Sequence, residues 1–342
     1  IDAEAKTITL APLFDDEGVS ILPERKIPYD QLVLAIGSVS NDFGTPGVAQ
    51  NCYFLDSLAQ AERFHKGLLN QLIRINQQED ENSFMKVAIV GAGATGTELA
   101  AQLHHVANLS KTYGMPGMSA SRLKITIVEA GERILPALPE RIANSARKAL
   151  YKLGVDIKEN TMVAEADENG LITKDGSRVD ADLMVWAAGV KAPDFVTEMG
   201  IFETNRANQI LVNEHLQSTG DSNIWVIGDC CGFKQENGKW VPPRAQSAHQ
   251  MANTAADNII ALQRGKELKG YVYKDYGSLV HLSNYSTVGS LMGSLSNSSM
   301  FIEGRLAKIV YISLYNMHQF AVHGKLRGAL KLLLKKLSYA IS

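Results

Sequence analysis

The sequence predicts an α/β fold, and three features carry that expectation. Short apolar strands alternate with amphipathic helical spacings, and a glycine-rich turn joins one such strand to a helix near residue 91. Three further strand candidates end in small residues, at Ala35-Ile36-Gly37, Ala187-Ala188-Gly189 and Ile227-Gly228-Asp229. In an open α/β sheet, ligands gather at the carboxyl ends of strands, where a residue without Cβ lets them touch backbone. The 342 residues correspond to two domains at a typical size of about 150. With 45% hydrophobic and 20% charged residues, disorder, collagen and coiled coil are excluded as descriptions of the whole chain. The three cysteines, Cys52, Cys230 and Cys231, are odd in number and lack repeated C-x-x-C spacing, which points to a reducing compartment and no metal site. The chain opens at Ile1 without an initiator methionine, as a processed or truncated product would.

Along the chain, strands are expected at Lys6 to Leu10, at Lys26 to Tyr29 and over the apolar run Gln31 to Ile36. That last run is apolar at successive positions, which predicts burial on both faces. Residues 55–76 carry Leu58, Phe64, Leu68, Leu69, Leu72 and Ile73 at helical spacing. The acidic stretch Gln77 to Asn82 reads as a linker. Pro139 to Tyr151 predicts a helix stopped by Gly154, and Asn169-Gly170 and Asp175-Gly176 mark turns among short strands. Asp182 to Ala188 and Asn223 to Ile227 are buried-strand candidates.

The sharpest signal is Gly91-Ala92-Gly93-Ala94-Thr95-Gly96, placed between the strand Lys86 to Val90 and helical spacing at Leu99, Leu103 and Val106. In a Rossmann unit the first glycine makes the tight turn, the second lets backbone approach a pyrophosphate, and the third lets helix and strand pack closely. The helix N-terminus then offers free N–H groups to the phosphates. The next apolar strand, Lys124 to Val128, ends in Glu129, whose carboxylate would accept the ribose hydroxyls and repel a 2′-phosphate, favouring NADH over NADPH. Glu129 lies 38 residues after Gly91, more than the usual unit of about 30 residues. The excess is read as a surface insertion, Asn108 to Ser121.

Four segments, 87–100 (V-A-I-V-G-A-G-A-T-G-T-E-L-A), 32–38 (L-V-L-A-I-G-S), 185–190 (V-W-A-A-G-V) and 223–229 (N-I-W-V-I-G-D), resemble the two-dinucleotide-binding flavoprotein oxidoreductases. Within that superfamily, P-P-R-A-Q-S-A-H-Q (242–250) is similar to the A-Q-x-A-x-Q element of the type II NADH dehydrogenases, the single-subunit NADH:quinone oxidoreductases. Segments 273–280, 286–293 and 305–319 are similar to bacterial members, so the resemblance covers essentially the whole chain. It implies two Rossmann-like domains, an FAD domain interrupted by an NADH domain, followed by C-terminal amphipathic membrane-associated helices. The boundaries read from the sequence are 1–55 (partial FAD domain), 56–203 (NADH-binding domain), 204–278 (second part of the FAD domain) and 279–342 (membrane-associated region). Family members begin with their own G-x-G-x-x-G for FAD, and nothing upstream of Lys86 supplies one, so the chain resembles a member lacking that segment.

The implied activity is hydride transfer from NADH to FAD and then two-electron reduction of membrane quinone, without proton pumping. Such transfer requires positioning rather than a protein nucleophile. Implied FAD contacts are Gly37 and Asp229, with Gly189, Gly228, Ala245 and Gln246 as further cofactor-binding candidates; Gly91, Gly93, Gly96, Thr97 and Glu129 fall to the NADH side. Glu98 is expected in the first turn of the dinucleotide helix, and the family acid at its position lies near nicotinamide and flavin. Gln246 and Gln250, four residues apart after Pro242-Pro243, share a helix face, with Ala245 and Ala248 small enough for a planar ligand to approach. Their neutral amides would address quinone or flavin. Cys230 and Cys231 read as small buried hydrophobes. Two other readings stay open: a soluble flavin reductase of a ferredoxin or a disulfide, and a non-catalytic NADH-binding remnant.

Residues 304–342 hold seven Lys or Arg and no acid, so a +7 tail offsets a −9 body within a net charge of −2. This argues against a nucleic-acid binder and for an anionic lipid surface. On a helical wheel Leu326, Leu330, Leu333, Leu334, Leu337 and Ile341 share one face, while Lys325, Arg327, Lys331, Lys335 and Lys336 take the opposite arc. No apolar run approaches the roughly 20 residues needed to span a bilayer. The expectation is a peripheral protein on the cytoplasmic face of the cell membrane, and the tail's apolar face could equally contribute to a homodimer.

Overall fold

The computed structural model describes residues 1–80, 82–282, 286–292 and 299–303, with positions 312, 313, 316, 320, 324, 326–331 and 334 toward the C-terminus. The chain divides into two compact units, residues 1–41 with 189–275, and residues 42–188 with 276–342. The sequence-based boundaries at 55/56 and 203/204 differ from these divisions. Residues 42–55 go with the second unit because Asn51 Nδ2 donates to the Ala166 carbonyl (2.9 Å) and Tyr53 pairs with Val185. Gly47 allows this seating: a Cβ there would fall 1.8 Å from the Ala166 carbonyl oxygen.

The second unit is built on a parallel sheet in the order Leu183–Trp186, Met85–Val90, Leu123–Val128, Asp156–Lys158. Its register is in step, with Lys86 beside Lys124 and Val90 beside Val128. The alternate positions Val87, Ile89, Ile125 and Ile127 join a core with Leu103, Ala107, Ile142 and Leu150 of the helices Ala94–Leu109 and Glu140–Lys152. Ala88, Val90 and Val128 point the other way and pack with Val163, Leu171 and Val179 of an antiparallel sheet, Val163–Asp167, Gly170–Thr173 and Arg178–Asp180. Two apolar layers on one sheet are what near-continuous apolar strands predict. A second antiparallel sheet, Gly277–Leu282, Ser286–Met292 and Ser299–Glu303, belongs to the same unit.

The helix Leu58–Gln77 starts at a capping box, Ser57 with Gln60, and buries Phe64, Leu68, Leu72 and Ile75. Leu58 and Ile73, expected on that stripe, are exposed. The stretch after this helix is more than a linker: Arg122 donates to the carbonyls of Asp80 (2.9 Å), Ser83 (3.0 Å) and Gly117 (2.8 Å). The insertion expected on the surface is likewise held down. Met118 is fully buried in the core, and the Gly117 N–H donates to Asn76 Oδ1 (2.8 Å).

In the first unit, Leu32–Leu34 pairs in parallel with Ile224–Val226, and the core gathers Leu34, Trp225, Cys230, Cys231, Met251 and Tyr271. Burial on both faces of the run 31–36 is corrected here. Only Leu34 is buried and Val33 is 41% exposed, because successive side chains point to opposite faces and the core packs on the face of Leu32 and Leu34. The helix Ala245–Gln263 follows Pro242-Pro243, as expected.

Candidate functional site

Two of the three glycines in the 91–96 loop are there for steric reasons. Gly91 has φ +99°, and a Cβ there would lie 2.8 Å from the backbone of Ala187 and Ala188. A Cβ on Gly96 would sit 2.0 Å from the Gly91 carbonyl oxygen, so only glycine lets the helix pack this closely. Gly93 is different: its missing Cβ faces open space. The position in the loop that is sterically free is the one whose backbone a pyrophosphate would approach. Gly93 is also the N-cap of Ala94–Leu109 and provides no side-chain cap, so the first-turn N–H groups are left to a ligand or water.

Glu129 closes the loop from the next strand. Its Oε2 accepts the Ala92 N–H and its Oε1 accepts the Gly131 N–H, both at 2.7 Å. A carboxylate has about four lone-pair sites, so two remain for ribose hydroxyls. Thr97 lies behind the loop: it is fully buried, and its hydroxyl donates toward the Gly93 carbonyl (2.9 Å). The structure therefore gives Thr97 the task of fixing the turn rather than of meeting a cofactor with its side chain. Glu98 is in the second turn, not the first, because the helix begins at Ala94, two residues before Gly96. Burial raises its pKa above the ordinary glutamate value, and the His281 N–H that donates to its Oε1 (2.9 Å) partly opposes this.

In the first unit the strand ends after Leu34 and Val226 meet, and the residues that follow Gly37 and Gly189 pair with each other. The Ile227 N–H donates to the Leu34 carbonyl (3.0 Å), Ser38 Oγ donates to Asp229 Oδ2 (2.9 Å), and Val39–Ser40 pairs with Val190–Lys191. Gly37, Gly189 and Gly228 all have φ between +72° and +77°, the left-handed region that glycine alone enters freely. A Cβ on Gly37 would meet nothing within 4 Å. Gly228 packs toward Ala248 of the helix Ala245–Gln263, whose first residue is exposed and which has no side-chain cap. Open glycine backbone, an acid at a strand end and an uncapped 19-residue helix form a cradle that fits a flavin nucleotide.

The two glutamines are held differently. Gln250 donates through Nε2 to the Lys274 carbonyl (2.9 Å) and accepts the Lys274 N–H at Oε1 (3.0 Å), a two-point clamp on the segment after the helix. Gln246 Nε2 donates to Asp275 Oδ1 (3.2 Å), and Arg244 pairs with Asp275 Oδ2 at 3.4 Å. Asp275 and the backbone of Lys274 are components that sequence reasoning missed. They lie 29 and 24 residues from their partners, and only the tertiary fold reveals them. Cys230 and Cys231 are buried and unbridged, and burial pushes both thiols up. Among the described residues no group of three or more His, Cys, Asp or Glu is placed to hold a metal ion.

Two arrays of this kind, one glycine loop before a helix and one set of glycine strand ends, define a nucleotide-binding redox protein, and the pyridine nucleotide-disulphide oxidoreductase family model matches residues 1–252. The chain is 46% identical to the type II NADH:quinone oxidoreductase of Haemophilus influenzae, across 99% of this chain and 79% of that protein. It belongs to the type II NADH:quinone oxidoreductase family. Its identity to the Staphylococcus aureus enzyme of the same description is 29%, across 78% of this chain and 66% of that one. Among solved structures, NDH2 from Plasmodium falciparum in complex with NADH superposes with a TM-score of 0.78 at 20% identity, over 93% of this chain and 78% of that chain. A ferredoxin reductase from Rhodopseudomonas palustris gives 0.62 at 20% identity, over 85% and 62%. These likenesses show the α/β flavoprotein fold.

Proposed function

We infer that the chain oxidises NADH and reduces quinone, with FAD as the carrier between them. The observation that carries this reading is the sterically free Gly93 backbone at an uncapped helix N-terminus, with the Glu129 carboxylate closing the same loop. FAD, when bound, supplies the chemistry of accepting a hydride and returning two electrons. The protein's contribution is binding and orientation. Gly91 and Gly96 set the loop, Gly93 and the first-turn amides receive the NADH phosphates, and Glu129 takes the ribose and disfavours a 2′-phosphate. Glu98 stands as a half-buried carboxyl beside that site. Gly37, Gly189, Gly228 and Asp229 line the flavin cradle. Ala245 and Gln246 face the ligand from the start of their helix, whose dipole favours negative charge on the reduced carrier. Gln250 holds the segment that follows.

The disulfide-reductase alternative is disfavoured by the buried Cys230 and Cys231, whose raised pKa values oppose the thiolate that exchange requires. The membrane association, the cytoplasmic face and a homodimer rest on the tail. Most of residues 304–342 lie outside the described residues, but Leu326, Leu330 and Leu334 are helical and exposed, which supports an apolar face available to lipid. Among the described residues no helix is long and apolar enough to cross a membrane.

The deciding experiment separates the half-reactions. Purified chain carrying FAD is mixed anaerobically with NADH, then with a short-chain quinone, while flavin absorbance is followed. Bleaching by NADH and recovery with quinone are expected, and Gln246→Ala should slow recovery with little effect on bleaching. Bleaching without recovery by any quinone would sink the quinone assignment.

A further inference from the structure

We propose that Asp275 is a positioning residue for quinone reduction, fixing which end of the Gln246 amide faces the ligand; this rests on the reading of Gln246 as a quinone-side residue. An amide has a donor end and an acceptor end of nearly equal shape, so by itself Gln246 could present either. An ionised carboxylate only accepts. With Asp275 Oδ1 at 3.2 Å, the NH2 end of Gln246 is the one that must face the acid, and the Oε1 end is turned away from it. The direction of the amide is thus set by a residue 29 positions away in sequence.

Asp275 is itself located by an ion pair and by the backbone of its neighbour. Arg244, the residue before the helix, pairs with its other oxygen at 3.4 Å and balances its charge. The preceding residue, Lys274, is clamped at both backbone atoms by Gln250 (2.9 and 3.0 Å). Gln250 is one helical turn from Gln246, so the clamp and the oriented amide share a face. The two glutamines therefore have different tasks: Gln250 fixes the backbone that carries Asp275, and Asp275 fixes Gln246. Because Arg244 and Asp275 neutralise each other, the amide is oriented without a net charge beside the redox site.

The variant Asp275→Asn keeps size and can pair with either end of Gln246, so it removes the direction while retaining a contact. Loss of one charge-assisted bond and its orientation should weaken binding of ubiquinone-1, measured by titration calorimetry on the full chain, by about tenfold. The quinone half-reaction should slow by a similar factor, while bleaching of the bound flavin by NADH and the melting temperature stay near those of the unmodified chain. Asp275→Glu, which restores an acceptor-only group, should recover part of the loss. Because both act through one amide, Asp275→Asn added to Gln246→Ala should cost nothing further. If Gln246→Ala impairs quinone binding and Asp275→Asn does not, the orienting role is overturned while the quinone reading survives. Equal loss of both half-reactions in Asp275→Asn would also overturn it, by showing a structural role. If Gln246→Ala leaves quinone binding and reduction intact, the underlying site reading falls, and the proposal with it.

Discussion

Burial lifts the pKa of Glu98, while Glu129 in the same unit is held by two backbone N–H donors. An acid with a raised folded-state pKa binds its proton more tightly when folded. Its contribution is therefore present at low pH and is lost as pH rises through the folded value. For Glu98 that window opens at the ordinary glutamate pKa of about 4.3 and extends upward. Glu98→Gln removes the partly desolvated charge, so denaturant unfolding should show the variant gaining on the unmodified chain as pH rises from that value toward neutrality. A gap that is constant with pH would mean that Glu98 is not desolvated. Glu129 holds Ala92 and Gly131 through the same two oxygens that the proposed reading turns toward the ribose. Glu129→Ala should therefore lose loop stability, by about 1–3 kcal/mol for two orphaned amides. It should also narrow the preference for NADH over NADPH by about tenfold or more, read as the ratio of their kcat/KM values. Equal rates with the two cofactors in the unmodified chain would refute the ribose assignment.

At the scale of elements, the loop and its helix make a sharp distinction between two glycines. Gly96→Ala places a methyl group 2.0 Å from the Gly91 carbonyl oxygen, and backbone has to shift to admit it. The expected cost is about 2–4 kcal/mol in unfolding free energy. Gly93→Ala meets open space, so melting should stay unchanged while NADH affinity falls about tenfold through obstruction of the phosphate approach. Calorimetric melting with NADH titration on both variants separates the two outcomes, and loss of stability in Gly93→Ala would contradict the assignment. The loop was legible in the sequence because its glycines, strand and helix are neighbours in the chain. The run 31–36 was less so: its composition is apolar, but burial depends on what packs on each face, and the core gathers Leu32 and Leu34 on one face while Val33 on the other is exposed. The carbonyls from 80, 83 and 117 that Arg122 gathers, and the Lys274 backbone that Gln250 clamps, were invisible for a related reason, although Gln250 itself was singled out. Arg122 and Gln250 are polar residues whose partners are set by tertiary contact, whereas periodicity reports only which face of an element is apolar.

Taken as a whole, the molecule has an acidic body and a basic tail, −9 against +7, and this asymmetry bears on how an enzyme of this family meets a quinone dissolved in lipid. Residues 326–331 are helical, and Leu326 and Leu330 are 89% and 57% exposed, a poor arrangement for a helix packed on its own protein but a suitable one for insertion at an interface. Two terms would act together. Each Lys or Arg near an anionic surface contributes about 1 kcal/mol, a term that weakens as salt shortens the screening length. The leucine face adds a part that salt does not weaken, at about 25 cal/mol per Å² of apolar surface removed from water. Deleting residues 325–342 should therefore release the chain from vesicles containing phosphatidylglycerol, with NADH oxidation by a water-soluble acceptor preserved. In the unmodified chain, raising the salt should reduce flotation without abolishing it, because the apolar term remains. Should the deleted and unmodified chains float equally well, or should salt leave the unmodified chain's flotation untouched, the tail does not bind lipid in this way, and its exposed leucines belong instead to a contact between copies of the chain, which sedimentation of the two forms would reveal.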